Sequence, residues 1–148
     1  MVKVPLEERI ALQDVVVDYC YAVDKLADVG ELLDLFTEDA VLDFSGIGLP
    51  AMNGRAEFKK FYDDVFADMT HHTHYASNFR ITAYDGDTAT VCAYVQGMGR
   101  ARDGNEVHVH VRYTMECLKS GEGWKCRKYL INAGMPLPGS MEEIHGNR

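Results

Sequence analysis

Histidine is concentrated in one short stretch, where His71, His72 and His74 occupy three of four consecutive positions. Here the pattern changes from that of an amphipathic helix to that of a strand. Because the ordinary pKa of histidine lies near neutrality, its side chain can take up and release a proton at physiological pH. Upstream, Asp24 follows a long apolar helix and has no evident structural task. If Asp24 and one of these imidazoles meet in a pocket, they form a base and its orienting partner.

Among the three histidines, His74 is the strongest candidate for the base because it begins a strand, where the side-chain direction is fixed. His71 and His72 are expected to be exposed or hydrogen-bonded loop residues. For Asp24 the alternative is a solvated acid at a helix end. Against that alternative, the helix macrodipole opposes an acid at a C-terminus, and Asp28 already supplies the N-cap of the next helix.

Tyr19 lies on the inward face of the same first helix as Asp24. A buried phenol hydroxyl needs a hydrogen-bond partner, and a substrate oxygen is one option. Packing alone is the other explanation for a tyrosine at this position.

A repeated His-x-His spacing raises the alternative of a metal site. The pairs His72-x-His74 and His108-x-His110 each place two imidazoles on one strand face, a spacing that zinc or iron can use. No third type of ligand is evident nearby. We therefore predict that the protein needs no metal or other cofactor and keeps its activity after chelation.

The composition limits the classes of partner. The chain has 148 residues and a formal net charge of −8, with 23 acidic and 15 basic side chains. Without a basic run, neither a nucleic acid nor an anionic membrane surface is an expected partner. No apolar run approaches the roughly 20 residues that cross a bilayer, and the N-terminus lacks a signal-peptide pattern. A cytoplasmic location is predicted. The four cysteines are scattered without a disulfide-like spacing, so we interpret them as reduced residues of the core.

Three helices are predicted in the first half of the chain. The first covers residues 5–23 and is apolar over more than half of its surface. Asp28 and Glu31 fit a capping box that opens a short helix extending through Phe36. The third helix covers residues 55–69 and carries a wide aromatic face that is typical of a helix packed on a sheet.

The strands are predicted from alternation and from turn residues. A short strand covers 40–44, and four longer strands lie near 73–83, 88–101, 106–119 and 123–132. The order ααβαββββ predicts an α+β fold in which helices lie on the concave face of a strongly curved antiparallel sheet, above a deep pocket. Residues 1–134 are expected to form a single domain, and residues 135–148 a C-terminal arm or lid.

This order of elements resembles the nuclear-transport-factor-2-like superfamily and, within it, the SnoaL-like group of small enzymes. The phrases that carry the resemblance are Val23-Asp24-Lys25, Glu38-Asp39-Ala40-Val41, Gly46-Ile47-Gly48 and His74-Tyr75-x-x-Asn78. Within the group the chain is most similar to hexachlorocyclohexane dehydrochlorinase and, more distantly, to scytalone dehydratase and bile-acid 7α-dehydratase. The resemblance implies a cone with a central pocket.

The resemblance also implies roles for particular residues. In those elimination enzymes a carboxylate ending the first helix orients a histidine that opens the strand after the third helix, which corresponds to Asp24 and His74. The dehydratases add a tyrosine on the first helix, for which Tyr19 is the candidate. Arg127 lies close to a late-strand arginine of the dehydrochlorinase, and Tyr129 shares its strand parity, so both are candidates for substrate binding.

One further candidate comes from the strand at 106–119. In scytalone dehydratase a second histidine from this region helps to activate a water, and His110, beside His108, is the corresponding candidate here. The polar face that carries both histidines is either outer surface, a subunit contact or a wall of the pocket.

The predicted function is that of a cofactor-free lyase that removes water or halide from a small hydrophobic or cyclic molecule, with His74 as base. Two alternatives stay open. One is a non-catalytic module of the same fold that binds a hydrophobic ligand or serves in assembly, and the other is a metal-dependent enzyme using the His-x-His pairs. A homodimer or homotrimer is expected because the outer face and edges of a curved sheet need to be covered.

Overall fold

In the computed structural model, residues 1–121 and 123–146 are described. Glu122 of the last predicted turn, and Asn147 and Arg148 of the predicted arm, lie outside the described residues. The helices are α1 (Leu6–Asp24), α2 (Val29–Leu33), α3 (Arg55–Asp68) and α4 (Ser140–His145). The strands are β1 (Phe36–Gly46), β2 (Ala51–Asn53), β3 (Met69–Tyr84), β4 (Thr88–Ala101), β5 (Glu106–Ser120) and β6 (Gly123–Ala133).

The strands form one sheet with the order β2-β1-β6-β5-β4-β3. Helix α1 packs against β3, β4 and β6, and α3 packs against β1 and β2. The buried side chains of these helices and of alternate strand positions form one apolar core. The predicted α+β class, with helices against a curved, unclosed sheet, is confirmed.

One pair of strands differs from the predicted antiparallel pattern. Strand β1 pairs with β6 in parallel, with Phe36 opposite Cys126 and Leu42 opposite Tyr129. A two-residue turn forces its flanking strands to be antiparallel, whereas a long connection permits either direction. Because β2, α3 and three strands separate β1 from β6, the turn residues of the sequence carried no information about this pair.

The boundary between α2 and β1 also differs from the prediction. Asp28 caps α2 as expected, accepting a hydrogen bond from the Gly30 amide at 2.8 Å, but Glu31 pairs with Lys25 instead of closing a capping box. The helix ends at Leu33, and Phe36 already belongs to β1. Burial of the Phe36 ring in the core outweighs the local helical pattern, since that ring is 1% exposed. Strand β2 and helix α4 were not predicted.

The C-terminal segment turns back over the body of the domain. After β6, the chain leads into α4, which packs against β5. The side chains of Met141 and His145 on this helix are buried, and Leu137 and Ile144 are partly buried against the core. The segment that follows the sheet is therefore held by apolar contacts.

The start of α1 is tied to the β5–β6 hairpin by Glu8. Its carboxylate accepts a hydrogen bond from the Trp124 indole at 2.6 Å and pairs with the Lys119 ammonium group. The hydrogen bonds from Lys119 and Trp124 lower the pKa of Glu8. A lowered carboxyl pKa contributes stability that is present above the unfolded-state pKa and is lost as the pH falls through the folded-state pKa.

We therefore expect Glu8→Gln to lower the melting temperature at neutral pH. The difference from the unsubstituted protein should shrink as the solution is acidified, because protonation removes the same ion pair. Thermal unfolding of both proteins across the acidic range measures this, with the exposed Glu7→Gln as control. A melting-temperature difference that does not change with pH would contradict the assignment.

Candidate functional site

A cavity of about 100 Å³ lies between the sheet and the helices. Most of its wall consists of aliphatic and aromatic side chains from α1, α3, α4, β4, β5 and the loop after β1. Its polar lining comes from three imidazoles and three phenols, those of His72, His74, His145, Tyr19, Tyr62 and Tyr113. A mostly apolar cavity with a few converging polar groups is typical of a small-molecule site.

The carboxylate of Asp24 holds His74 at two points. One oxygen lies 2.5 Å from Nδ1 of the imidazole, and the other accepts the backbone N–H of His74 at 3.0 Å. Asp24 is the last residue of α1, and the chain leaves the helix through Leu26, whose φ of 51° is left-handed. The end of the helix therefore places Asp24 directly behind the histidine.

This contact determines the tautomer of His74. An ionised carboxylate only accepts hydrogen bonds, so Nδ1 carries the proton and the lone pair of the neutral ring is on Nε2. The Nε2–Cδ2 edge lies over Gly97 on β4, where a Cβ atom would be 3.2 Å from both ring atoms. Because Gly97 and His74 both line the cavity, the basic nitrogen borders the space in which a ligand would sit.

His72 lies beside His74, with the two ring centroids 5.7 Å apart. Its Nδ1 is 3.2 Å from the Val23 carbonyl oxygen, and its ring lines the cavity. The expectation that His71 and His72 are loop residues is wrong, because β3 begins at Met69 and includes both. His71 is exposed on the opposite face of the strand, in keeping with the alternation of side chains along it.

Three buried tyrosines line the cavity. The Tyr19 and Tyr62 hydroxyls are hydrogen-bonded to each other, and the Tyr113 ring packs edge-on against Tyr19 at 5.7 Å. Burial raises the pKa of all three well above the ordinary range, so they stay protonated and can donate hydrogen bonds. Sequence reasoning missed Tyr62 and Tyr113 because each lies on an apolar face that is also typical of core residues.

Tyr129 does not line the cavity. Its ring is fully buried behind Tyr19, at a centroid distance of 4.9 Å. The Tyr129 hydroxyl interacts with the hydroxyls of Tyr19 and Tyr113 but forms no hydrogen bond of normal geometry. The structure therefore places this substrate-binding candidate in the core beneath the site.

We expect Tyr129→Phe to be neutral or to raise the free energy of unfolding by up to about 1 kcal/mol, because a poorly satisfied buried hydroxyl is removed. Denaturant unfolding measures the change, and Tyr113→Phe is the matched control from the cavity wall. A loss of more than about 1 kcal/mol in Tyr129→Phe would show that the hydroxyl has a good partner.

His110 lies on the outer face of the sheet. It is exposed and borders a surface depression together with Tyr75, Tyr94 and Met135. The inward positions of β5 are occupied by the alternating apolar residues, such as Val109 and Val111, which line the cavity. Of the three alternatives for this polar face, the structure excludes the wall of the pocket, so His110 does not join Asp24 and His74.

Arg127 is also directed away from the cavity, and a β-bulge is the reason. Glu116 and Cys117 of β5 pair with Lys128 and Cys126 of β6, which leaves Arg127 as the extra residue between them. A bulge reverses the parity of the positions on its two sides. The guanidinium is consequently exposed, with its Nε 3.9 Å from a Glu116 oxygen. Simple alternation along the strand had predicted that Arg127 and Tyr129 share one face.

Within residues 1–121 and 123–146, no three His, Cys, Asp or Glu side chains are arranged to hold a metal ion. All four cysteines are unpaired, and burial, reinforced by the negative charge of Asp24, raises the pKa of Cys20 to about 12. A thiol of that kind is a weak nucleophile.

Among the described residues, no helix combines the length and the apolar character needed to cross a membrane.

Comparison with solved structures finds the same fold in several proteins. A candidate aromatic ring hydroxylase from Novosphingobium aromaticivorans is 46% identical, with 96% of this chain and 99% of that one covered and a TM-score of 0.92. A candidate scytalone dehydratase from the same species is 23% identical, covering 88% and 86% of the two chains, with a TM-score of 0.80. Hexachlorocyclohexane dehydrochlorinase (LinA) type 2 is 23% identical, covering 90% and 91%, with a TM-score of 0.76.

At these identities the last two structures establish the fold alone. No protein of curated function matches the sequence. The sequence does match the SnoaL-like domain from residue 4 to residue 129, which is most of the chain. The resemblance that the short motifs indicated is thereby confirmed: this chain belongs to the SnoaL-like domain family, with the nuclear-transport-factor-2-like fold.

Proposed function

We propose that the protein is a cofactor-free lyase that removes water or halide from a small cyclic molecule by proton abstraction. The observation that carries the proposal is the Asp24–His74 contact, in which the proton is held on Nδ1 and the basic nitrogen borders an apolar cavity. A base whose ordinary pKa lies near neutrality, oriented by a partly buried carboxylate, is suited to proton transfer at physiological pH.

In this mechanism Nε2 of His74 takes a proton from a carbon next to the one that bears the leaving group. The electrons of the broken C–H bond form the new double bond as the bond to the leaving group breaks. The imidazole becomes an imidazolium, which the negative charge of Asp24 stabilises. On the cavity side of the ring, the mostly apolar walls strengthen the electrostatic interactions made with a bound ligand.

The phenols supply hydrogen bonds to the oxygen or halogen that gains negative charge. Tyr19 and Tyr62 remain protonated because burial raises the pKa of both. Their paired hydroxyls have two protons, and one is used between them, so the other can be donated to the ligand. Tyr19 thus has the assisting role that the resemblance implied, with Tyr62 as its partner.

A ring-shaped ligand does not fit the cavity at its present size. A cavity of roughly 150 Å³ accommodates benzene, and this cavity has about 100 Å³. A ring must therefore displace part of the wall when it enters. We propose that α4 is the part that moves, as a lid, because Met141 and His145 contribute to the wall from a short segment beyond the sheet.

The name of one similar structure introduces a competing function. The 46% identical protein is named as a candidate aromatic ring hydroxylase. An aromatic substrate would suit this small apolar cavity, but hydroxylation inserts an oxygen atom and consumes an oxidant, unlike an elimination. The two reactions are therefore distinguished by whether oxygen and an electron donor are needed.

The proposal is tested by turnover of two compounds without any added cofactor. Hexachlorocyclohexane is followed by chloride release, and scytalone, a cyclic hydroxyketone, by the absorbance of its dehydrated product. We expect one of them to be turned over anaerobically, and His74→Gln to abolish that activity while the outer-face control His108→Gln retains it. Activity that survives His74→Gln, or that requires oxygen and reduced nicotinamide, would overturn the proposal, and saturable binding without turnover would favour a ligand-binding module.

We also propose that the chain forms a homodimer or homotrimer through the outer face of the sheet. Tyr75 and Tyr94 are large side chains that are 62% and 47% exposed there, and such patches are typical of interaction sites. Light scattering at micromolar concentration should give a multiple of 16.6 kDa, and Tyr94→Lys should shift the protein towards monomer. A monomer in the unsubstituted protein would refute this.

A further inference from the structure

Two imidazoles on the outer face of the sheet have no part in the proposed reaction. His108 and His110, the β5 histidine pair, occupy alternate positions of the strand, so their side chains leave it on the same side. Both are exposed, and their ring centroids are 5.0 Å apart with the planes tilted by 33°. Within the described part of the chain, neither ring forms a hydrogen bond. The ring nitrogens are therefore accessible to a ligand from solution.

The spacing of these rings matches that of two histidines bound to one metal ion. A metal–nitrogen bond of about 2.0–2.1 Å places each ring centre about 3 Å from the ion, so two rings at a tetrahedral angle have centres about 5 Å apart. The observed separation of 5.0 Å agrees with this value. The two imidazoles can therefore chelate one ion without a change in the strand.

The charges around the β5 histidine pair do not oppose a cation. The Arg100 guanidinium is paired with Glu106 at 2.6 Å, and that of Arg112 lies over the Tyr94 ring at 3.5 Å. Both arginines are thus directed to other partners. The formal net charge of −8 also favours the approach of a positive ion.

Met98 of β4 introduces a preference among metals. It is directly opposite His108 in the register of β4 with β5, and both residues line one depression on the surface. Directly opposed residues of antiparallel strands have Cβ atoms about 4.5–5.5 Å apart, within reach of a flexible thioether. Imidazoles bind zinc, nickel and copper, with Cu²⁺ bound most tightly, and a thioether favours Cu⁺. These ligand types together favour copper.

We propose that His108, His110 and Met98 form a copper-binding site on the outer face of the sheet. The two imidazoles chelate the ion in either oxidation state, and the thioether adds a bond to Cu⁺. The other coordination positions are open to water, or to a second copy of the chain, since this face also carries the proposed contact between copies. A site of two imidazoles and a thioether differs from the clusters of three His, Cys, Asp or Glu side chains that the described residues lack.

The test titrates the metal-free protein, purified without an affinity tag, with copper(II) sulfate. Calorimetry measures the affinity, and electron paramagnetic resonance detects nitrogen ligands. We expect one ion per chain, or one per two chains where the ion joins two copies. His108→Gln and His110→Gln should each weaken binding at least about tenfold, because even the outer-shell partners of a metal contribute that much. His71→Gln, which removes another exposed imidazole of the outer face, is the matched control and should bind as the parent does.

Met98→Leu tests the thioether separately, because it removes the sulfur atom and nearly conserves the volume. Competition with a coloured Cu⁺ chelator should show a loss of Cu⁺ affinity of about tenfold or more, whereas the affinity for Cu²⁺ should change little. An unchanged Cu⁺ affinity would overturn the assignment of Met98 as a ligand.

NMR of the unsubstituted protein locates the ion independently of any variant. Substoichiometric Cu²⁺ should broaden the ring signals of His108 and His110 before those of His71 and His74. Broadening of the His74 signals first would overturn the proposal, because the ion would then lie in the cavity. So would the absence of binding, or an unchanged affinity in the double variant His108→Gln/His110→Gln.

The copper site and the proposed reaction can fail separately, because they lie on opposite faces of the sheet. Removal of copper by a chelator should leave any elimination activity unchanged. A protein that binds copper through the β5 histidine pair but eliminates nothing would contradict the lyase proposal and leave the copper site standing.

Discussion

Replacing His74 with alanine is expected to lower kcat about a hundred- to ten-thousand-fold, the range over which a positioned general base contributes. Asp24→Ala should cause a loss of similar order. Its carboxylate determines the tautomer of the ring, stabilises the imidazolium, and accepts the backbone N–H of His74 at 3.0 Å. The double variant should cost little more than either single one, because residues that act as a unit are strongly non-additive.

Two controls separate catalysis from folding in this experiment. His71→Ala removes an exposed imidazole three positions away and should leave kcat unchanged. Asp24→Asn keeps the size of the side chain and removes its charge, so it should lose activity while retaining the melting temperature of the parent protein. Losses from the two alanine variants that simply multiply in the double variant would show that Asp24 and His74 do not act together.

Gly97→Ala is expected to produce the second-largest loss, about ten- to a hundredfold in kcat. The added Cβ would lie 3.2 Å from both Nε2 and Cδ2 of His74, closer than ordinary van der Waals contact. The ring must therefore move by a few tenths of an ångström, away from the position that its hydrogen bond to Asp24 defines. Small displacements of a catalytic group cost about a hundredfold when they reach 1 Å.

The expected signature is a change in kcat with a smaller change in KM, and a shifted Nδ1 proton resonance of His74 in the NMR spectrum. A merely structural glycine would alter stability without moving that resonance. Gly121→Ala is the matched control, since none of the residues described in the structure lies within 4 Å of its Cβ position. If Gly97→Ala keeps full activity and an unshifted resonance, Gly97 has no part in positioning the imidazole.

Most of the elements and the general character of the site could be predicted from local patterns in the sequence. The aromatic spacing of residues 55–69 and the Asp-Gly turns of the hairpins are local signals, and local signals specify helices and antiparallel neighbours. The end of the apolar first helix was likewise predicted, whereas the strand at the histidines begins earlier than predicted, at Met69. Together with the family resemblance, these local signals singled out Asp24 and His74.

Features that depend on pairing between distant segments could not be predicted from the sequence. No hairpin turn joins β1 to β6, so the sequence contains no local signal for their parallel pairing. The bulge that turns Arg127 outward depends on the register in which β6 pairs with β5. The outward direction of His110 depends on which face of the sheet the helices cover. Periodic patterns show that a strand has two faces, but burial by other elements decides which of them is inside.

The same reason explains the cavity residues that sequence reasoning missed. Tyr62 and Gly97 are unremarkable in the sequence, one as part of an aromatic helix face and the other as a glycine within a strand. Their roles arise from atoms 43 and 23 positions away in the chain, the Tyr19 hydroxyl and the His74 ring. A site assembled across such distances is determined by the packing of the sheet against α1 and α3. The spacing of residues along the chain does not predict that packing.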